Sequence, residues 1–141
     1  MEISLRDISN SDWDYILGLR NENFKNSFYK QKEPIQKQDH YEYMEKQLSN
    51  PDFNHWIATD GKKDLGYIRI LNQDISILVQ KKFQTKGIGT TMIKLIEEKA
   101  ISLDIKKLKA VVLPENEKSK KIFLKNNYQQ KMNTFEKVLS N

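Results

Sequence analysis

Hydrophobic and polar residues alternate along four short stretches of this chain, and each stretch predicts a β-strand. The first stretch opens the sequence and covers residues 2–8. The other three follow one another closely, over residues 53–59, 65–71 and 75–80, with turn residues at Asp60-Gly61 and at Asn72 to Asp74 between them. Consecutive strands joined by short turns are predicted to form an antiparallel meander.

Apolar residues recur at helical spacing in four other stretches. The predicted helices cover residues 12–22, then a segment from 38 or 39 to the Asn50-Pro51 stop, then 88–103, and finally 116–128. Asn127 is expected to take the left-handed conformation that ends the last helix.

The segment between the third and fourth helices is a short apolar run over residues 107–113, which predicts a buried central strand. Because it follows a strand and a helix, it is expected to pair in parallel with the strand at 75–80 through a right-handed crossover. Residues 128–132 and 135–139 are predicted to supply two closing strands. The pattern therefore predicts an α/β domain with a mixed sheet.

Length and composition narrow the class of protein. The chain has 141 residues and no cysteine, which fits one domain and excludes a disulfide framework, a thiolate nucleophile and a cysteine metal site. No apolar run approaches the ~18 residues of a membrane span. The opening residues resemble a strand and not a signal peptide. We expect a single domain over residues 1–141 in a cytoplasmic protein without a membrane partner.

Positive charge is concentrated in one half of the sequence. The net charge is +5, but residues 81–131 hold thirteen lysines against five acidic residues. An anionic ligand would suit this half, although most of these lysines are expected to be solvated. No nucleic-acid-binding motif accompanies the charge, so no nucleic-acid partner is predicted. The two histidines lie too far apart in sequence to suggest a metal site.

The stretch from Val79 to Thr91 carries the strongest chemical signal. It runs from a strand through a loop with Gly87 and Gly89 into the third helix. A helix N-terminus offers unpaired N–H groups to an anion, and glycines let backbone approach a phosphate closely. The P-loop pattern and the third glycine of a dinucleotide-binding loop are both missing. A phosphate-binding loop of another kind is predicted, with a ligand-free tight turn as the alternative.

Two motifs of this chain are similar to those of the GNAT family of N-acetyltransferases. Gln84-Thr-Lys-Gly87-Ile-Gly89 resembles the family's Q/R-x-x-G-x-G/A pyrophosphate loop. The segment with Asn116, Ser119, Phe123 and Asn127-Tyr128 resembles the segment that follows the family's central strand. The resemblance covers essentially the whole chain. It implies a GNAT fold, with a central mixed sheet of six to seven strands flanked by about four helices.

The resemblance also implies the reaction and the donor site. Family members transfer acetyl from acetyl-CoA to an amine without a covalent enzyme intermediate. Their strand before the loop bulges and exposes backbone groups to the donor. The residues that match the family's donor-binding positions are Ile77, Leu78, Val79, Gln84, Thr85, Lys86, Gly87, Ile88, Gly89, Thr90, Asn116 and Phe123.

The usual acid and base of the family are absent here. Phe123 stands where many relatives have a general-acid tyrosine, and Val111 stands where some have a glutamate. His40 is the candidate base, because its pKa lies near working pH, and Ser119 is a candidate to assist the leaving thiolate. Each has a structural alternative, as a capping or core residue. Glu22, Asp74 and Glu115 remain further candidate bases.

The acceptor is suggested by the N-terminal half. Arg20-Asn21, Ile35, His40 and Met44 resemble a pattern of sugar-nucleotide amine acetyltransferases of the pseudaminic-acid type. The implied substrate-binding residues are Arg20, Asn21, Phe28, Tyr29 and His40. The sequence thus predicts an acetyltransferase for a nucleotide-linked amino sugar, as a monomer or homodimer. The alternatives are a protein N-terminus or another small amine as acceptor, or a non-catalytic CoA-binding regulator.

Overall fold

Four antiparallel strands form the sheet in the computed structural model, which describes residues 2–27 and 33–139. The strands stand in sequence order: β1 (Ser4–Arg6), β2 (Phe53–Thr59), β3 (Asp64–Leu71) and β4 (Asp74–Val79). Each pairs with the next. The predicted meander is confirmed, and the opening strand is shorter than the pattern suggested.

Helices cover both faces of this sheet. On one face lie α1 (Trp13–Ser27) and α2 (Lys37–Gln47), with Ile16, Leu19 and Met44 packed on Ile57, Tyr67 and Leu78. On the other face α3 (Ile88–Ser102) places Met92 and Ile96 against Trp56, Ile68 and Ile70. The last helix, α4 (Glu117–Lys125), contributes Phe123 to the edge of that second core. The layered α/β class is therefore confirmed.

The end of α4 follows the sequence prediction closely. Asn127 has a φ of 72°, and its N–H donates to the Leu124 carbonyl at 3.1 Å. The Tyr128 N–H donates to the Phe123 carbonyl at 3.0 Å. These two bonds form a Schellman motif, which satisfies the last carbonyls of the helix.

A bulge lies on β3 and not on β4. The β3–β4 ladder is regular from Gly66↔Val79 to Leu71↔Asp74, so the bulge expected in the strand before the glycine loop is not found. The extra residue is Leu65 of β3, which stands opposite the Ala58/Thr59 step of β2. Its side chain turns towards the α3 face. Gly66 follows this bulge, and a Cβ there would collide with the Leu78 carbonyl oxygen. The close approach of β3 and β4 therefore requires glycine.

The predicted central strand at 107–113 is reduced to a single parallel bridge between Asp74 and Lys109. Leu108 and Ala110 pack on the core, whereas Val111 is 57% exposed. A central strand needs partners on both sides, and within the described residues this segment bonds to β4 only around one residue. The prediction of a buried strand was wrong because an apolar run alone does not supply partners.

The two closing strands are also absent from the described structure. Residues 129–139 belong to no strand and are exposed, with Phe135 at 91%. Their apolar side chains stand at 132, 135, 138 and 139, so no single face of a strand collects them. The sheet therefore has four strands in the described residues, where six to seven were predicted. Within residues 2–27 and 33–139, no helix is long and apolar enough to cross a membrane.

Candidate active site

The outer edge of β4 is largely unpaired. The Ile75 N–H donates to the Lys109 carbonyl and the Lys109 N–H to the Gln73 carbonyl, both at 2.8 Å. In the described structure, no backbone hydrogen bond joins β4 to residues 110–113, which follow Lys109. Backbone groups of alternate residues point to the same edge of a strand. Ile77 and Val79 therefore direct their N–H and C=O groups towards this gap.

Leu78 does not share that orientation. It lies opposite Tyr67 of β3, and its side chain is 1% exposed in the α1/α2 core. The neighbouring Gln80 N–H also turns to β3, donating to the Leu65 carbonyl at 3.0 Å. Of the three strand residues predicted to meet the donor, the backbone of two faces the gap and that of Leu78 faces β3.

The glycine loop, residues 80–87, is fixed by side chains from two directions. Gln84 donates through Nε2 to the Val79 carbonyl at 3.0 Å and to Oδ1 of Asn23 in α1 at 3.2 Å. Glu22 of α1 accepts the Lys81 N–H at 2.6 Å, and Phe83 is buried. The Gln84 and Glu22 side chains thus hold the first part of the loop in place, which leaves the backbone of residues 85–87 and the Lys86 side chain to meet a ligand.

The start of α3 offers three backbone donors. Gly87 is the N-cap, with a φ of 77°, and it has no side chain to cap the helix. The first bond inside the helix runs from the Thr91 N–H to the Gly87 carbonyl at 3.2 Å. The N–H groups of Ile88, Gly89 and Thr90 precede it and have no partner within the helix. Thr85 also takes a left-handed φ, of 68°. Loop and helix start together fit an anion such as a pyrophosphate.

The first turns of α4 lie beside this helix start. A Cβ on Gly89 would meet only Cδ1 of Ile122, at 3.8 Å. Ser119 precedes Ile122 by three residues, so both lie on one face of α4. Asn116 caps α4 by accepting the Ser119 N–H at 3.2 Å. Phe123 stacks edge-on against Tyr128, with 5.2 Å between ring centroids. The structure thus brings the two sequence motifs together.

His40 is placed away from any reacting group. It is fully buried between α1 and α2, with Nε2 2.8 Å from the Trp13 carbonyl and Nδ1 3.1 Å from Nη1 of Arg20. Arginine only donates, so Nδ1 accepts and Nε2 carries the proton given to Trp13. Burial lowers the pKa of His40. With both ring nitrogens occupied, His40 does not suit the predicted role of base or of substrate ligand; it orients Arg20.

Asn21 also makes a structural contact. Its side chain donates to the Ile35 carbonyl at 3.1 Å and accepts the Ile35 N–H at 2.7 Å. Four residues of the amino-sugar pattern therefore form two hydrogen-bonded pairs. Arg20 bonds to His40, and Asn21 bonds to Ile35. Phe28 and Tyr29, which were predicted to contact substrate, lie outside the described residues.

A polar cavity of about 80 Å³ lies between α1, α2 and the sheet. Two of its lining residues, Arg69 of β3 and Ser76 of β4, stand directly opposite each other in the ladder. The full lining consists of Ile16, Arg20, Tyr43, Met44, Tyr67, Arg69 and Ser76. Of these lining residues, only Arg20 was predicted from the sequence to bind substrate. Strand alternation places Arg69 and Ser76 on one face, but only the register shows that they meet.

The charge of this cavity is positive. The Arg20 guanidinium lies 5.2 Å from the Tyr43 ring centroid, and burial lowers the pKa of Arg20. Arg69 donates through Nη1 to the Asp74 carbonyl at 3.2 Å and to its carboxylate at 3.4 Å. His55 lies 3.0 Å from the Tyr67 hydroxyl, and burial lowers its pKa to about 4. His55 is therefore neutral at pH 7, so two arginines face one carboxylate.

Fold and site together define the class. The chain belongs to the acetyltransferase (GNAT) family, whose family model matches residues 13–128. It is an acyltransferase of the N-acetyltransferase type, with acetyl-CoA as its donor.

Solved structures give the same fold. A domain from Methanocaldococcus jannaschii DSM 2661 is 25% identical, with a TM-score of 0.80 over 92% of this chain and 90% of that one. The spermidine N-acetyltransferase of Vibrio cholerae, solved with CoA and spermine, is 19% identical, with a TM-score of 0.83 over 99% and 88%. AAC(6')-Iy, solved with a CoA bisubstrate analogue, is 14% identical, with a TM-score of 0.74 over the full length of both chains. No curated protein sequence matches this chain.

Proposed function

We propose that this enzyme acetylates the amine of a nucleotide-linked amino sugar, by direct transfer from acetyl-CoA. The observation that carries the donor half of this proposal is the open strand edge at Ile77 and the Val79 N–H, which is followed by an α3 start without a side-chain cap. The acceptor half rests on the positive cavity at the opposite, α1/α2 face of β4.

The residues present fit the donor. The N–H groups from Thr85 to Thr90 would hold the pyrophosphate, and Gly87 and Gly89 leave room for it. The outward backbone groups of Ile77 and the Val79 N–H would pair with the amide groups of the pantetheine arm, while the Val79 carbonyl accepts from Gln84. Asn116, which caps α4 by accepting the Ser119 N–H, would also contact the pantetheine arm. Gln84 would act by fixing the loop.

Direct transfer fits the chemistry of the chain. There is no cysteine to carry an acetyl group. When bound, acetyl-CoA supplies an acetyl group activated as a thioester, which an unprotonated amine can attack. Backbone N–H groups at the β4 edge would stabilise the oxyanion that forms. Ser119, on the α4 face that approaches Gly89, is our candidate to donate a hydrogen bond to the departing thiolate.

The acceptor must lose a proton before it attacks, and the cavity helps without a dedicated base. Like charges disfavour the charged form of an amine, so Arg20 and Arg69 would lower the pKa of a nearby acceptor ammonium. The Glu22 carboxylate already accepts the Lys81 backbone N–H, and the Asp74 carboxylate accepts from the Arg69 guanidinium. With His40 buried, we propose that water removes the proton. General base catalysis is worth roughly 10²–10⁴-fold, so this enzyme would rely on positioning.

The same charges favour an anionic acceptor over a polyamine. The Vibrio cholerae relative was solved with spermine, a polycation. Two guanidinium groups would repel such a ligand, whereas the diphosphate of a sugar nucleotide would be attracted. A protein N-terminus or another small amine remains the competing acceptor class, and it would not need this charge.

Thiol release from acetyl-CoA, measured across a panel of amines, tests the proposal. The panel should contain a UDP-linked 4-amino sugar, the free amino sugar, spermidine and a short peptide. We expect release with the nucleotide-linked sugar only. Release with the peptide or spermidine alone would refute the proposed acceptor, and no release with any amine, despite CoA binding, would favour the non-catalytic alternative.

A further inference from the structure

We propose that the cavity between α1, α2, β3 and β4 is an oxyanion subsite, which binds one phosphate or carboxylate group of the acceptor with Arg69 as its specificity-determining residue. This inference deepens the proposed function and rests on it for the identity of the bound molecule. It concerns a group of residues, Arg69, Tyr43 and Ser76, that neither sequence motif includes.

Several hydrogen-bond donors converge in this cavity without a partner among the described residues. Arg69 uses only Nη1, for Asp74, so Nε and Nη2 have no partner in the described structure. The hydroxyl groups of Tyr43 and Ser76 likewise bond to none of the described residues. All three side chains line the same cavity and are partly buried. These donor atoms are open to the cavity, so they are available to a ligand that accepts hydrogen bonds from them.

The charge of the cavity also suits an anion. Arg20 and Arg69 line the cavity, and the carboxylate of Asp74, 40% exposed, is the acid beside them. The two titratable groups behind the cavity stay neutral at pH 7, because burial lowers the pKa of His55 and raises that of Tyr67. One small anion would balance the remaining positive charge. Arginine suits this role, because its planar fork matches both carboxylate and phosphate oxygens.

The size and position of the cavity suit a single anionic group. A volume of about 80 Å³ corresponds to two or three water molecules, enough for one carboxylate or phosphate group but not for a nucleotide. Ser76, at the cavity, is adjacent to Ile77, whose backbone faces the donor gap. An anion held by Arg69 and Ser76 would therefore anchor the acceptor close to the transfer point, with the bulk of the molecule outside.

Binding of inorganic phosphate and of acetate tests the subsite without any turnover. Each anion is titrated into the full chain, which is first saturated with CoA so that the donor loop is occupied. The variants are Arg69→Gln, Ser76→Ala and the control Lys106→Gln, which removes an equal charge at a side chain that is 83% exposed. Circular dichroism and thermal unfolding verify that each variant folds.

We expect Arg69→Gln to weaken anion binding about tenfold or more, and Ser76→Ala about threefold. The difference arises because the charged Arg69 guanidinium binds an anion more strongly than the neutral Ser76 hydroxyl does. Lys106→Gln should change it less than about twofold. Tighter phosphate binding would identify a phosphate-bearing acceptor, and tighter acetate binding a carboxylate-bearing one. Equal affinity in wild type, Arg69→Gln and Ser76→Ala, or no binding of either anion, would overturn the inference.

The outcome separates this inference from the proposed function. If the anion binds in an Arg69-dependent way but no nucleotide-linked sugar is acetylated, the subsite stands and the proposed acceptor fails. If the sugar is acetylated while anion binding ignores Arg69, the acceptor stands and the subsite fails.

Discussion

Gly89 occupies the first turn of α3, where a side chain would reach into the space assigned to the donor pyrophosphate. The site itself has room, because a Cβ there meets only the Ile122 methyl at 3.8 Å. A substitution at this position should therefore act on binding and leave the fold alone.

Gly89→Glu should abolish measurable CoA binding, which corresponds to a loss of at least about a hundredfold in affinity. A carboxylate at the helix start would block the three N–H donors and repel phosphate, while it remains favourable to the helix itself. Calorimetric titration with CoA measures the effect. Gly18→Glu is the matched control, since Gly18 is also helical and nothing lies within 4 Å of its Cβ. Unchanged affinity in Gly89→Glu would show that the pyrophosphate does not lie there.

A second residue-scale effect concerns His55, whose folded pKa of about 4 lies below its ordinary 6.5. Below pH 6.5 the unfolded chain binds a proton at His55 that the folded chain does not, so stability falls as the pH falls towards 4. His55→Gln keeps an acceptor for Tyr67 and removes this titration. We expect the loss of unfolding free energy between pH 7 and pH 5 to shrink by on the order of 1 to 2 kcal/mol in this variant. Urea unfolding at both pH values measures it, and an equal loss in both proteins would contradict the assignment.

Among the elements, the contact between β3 and β4 is the one that places the site, because it holds Arg69 opposite Ser76 and turns Ile77 outwards. Gly66 permits this contact. Gly66→Ala would push its methyl group into the Leu78 carbonyl oxygen, so β4 must shift. Overpacking of this kind costs about 1–3 kcal/mol.

We therefore expect Gly66→Ala to destabilise the protein by about 2 kcal/mol and to weaken CoA binding, since β4 carries the donor edge. Chemical denaturation and CoA titration follow the two effects. Gly18→Ala serves as the comparison, because alanine in an exposed helix position should stabilise by about 0.5–1 kcal/mol. A Gly66→Ala protein as stable as wild type would show that the strands do not approach so closely.

The elements also show how far sequence reasoning reaches. The helices and the meander were predictable because periodicity and turn residues such as Asp60-Gly61 act locally. The glycine loop and the Asn127 helix end were predictable for the same reason. The strand at 107–113 was not, because its pairing depends on partners elsewhere in the chain. For His40, the sequence gives the residue's type and helix position, but not that Trp13 and Arg20 occupy both ring nitrogens.

At the scale of the whole molecule, β4 separates two environments of like charge. The chain continues from β4 into the lysine-rich half of the sequence, residues 81–131. The α1/α2 face of β4 lines the cavity that contains Arg20 and Arg69. Both environments favour anions, which suits a phosphate-bearing donor and a phosphate-bearing acceptor. Sequence composition indicated the first environment. The second depended on the register of β3 and β4, which only the folded structure shows.

The proposed preference for an anionic acceptor can be tested by a competition for a limiting amount of acetyl-CoA. A UDP-linked 4-amino sugar and spermidine are supplied at equal concentration. The ratio of the two acetylated products, measured by mass spectrometry, equals the ratio of their kcat/KM values. We expect nearly all of the acetyl group to be found on the sugar nucleotide. Acetylspermidine as the main product would contradict it, because a cavity lined by two arginines should exclude a polycation.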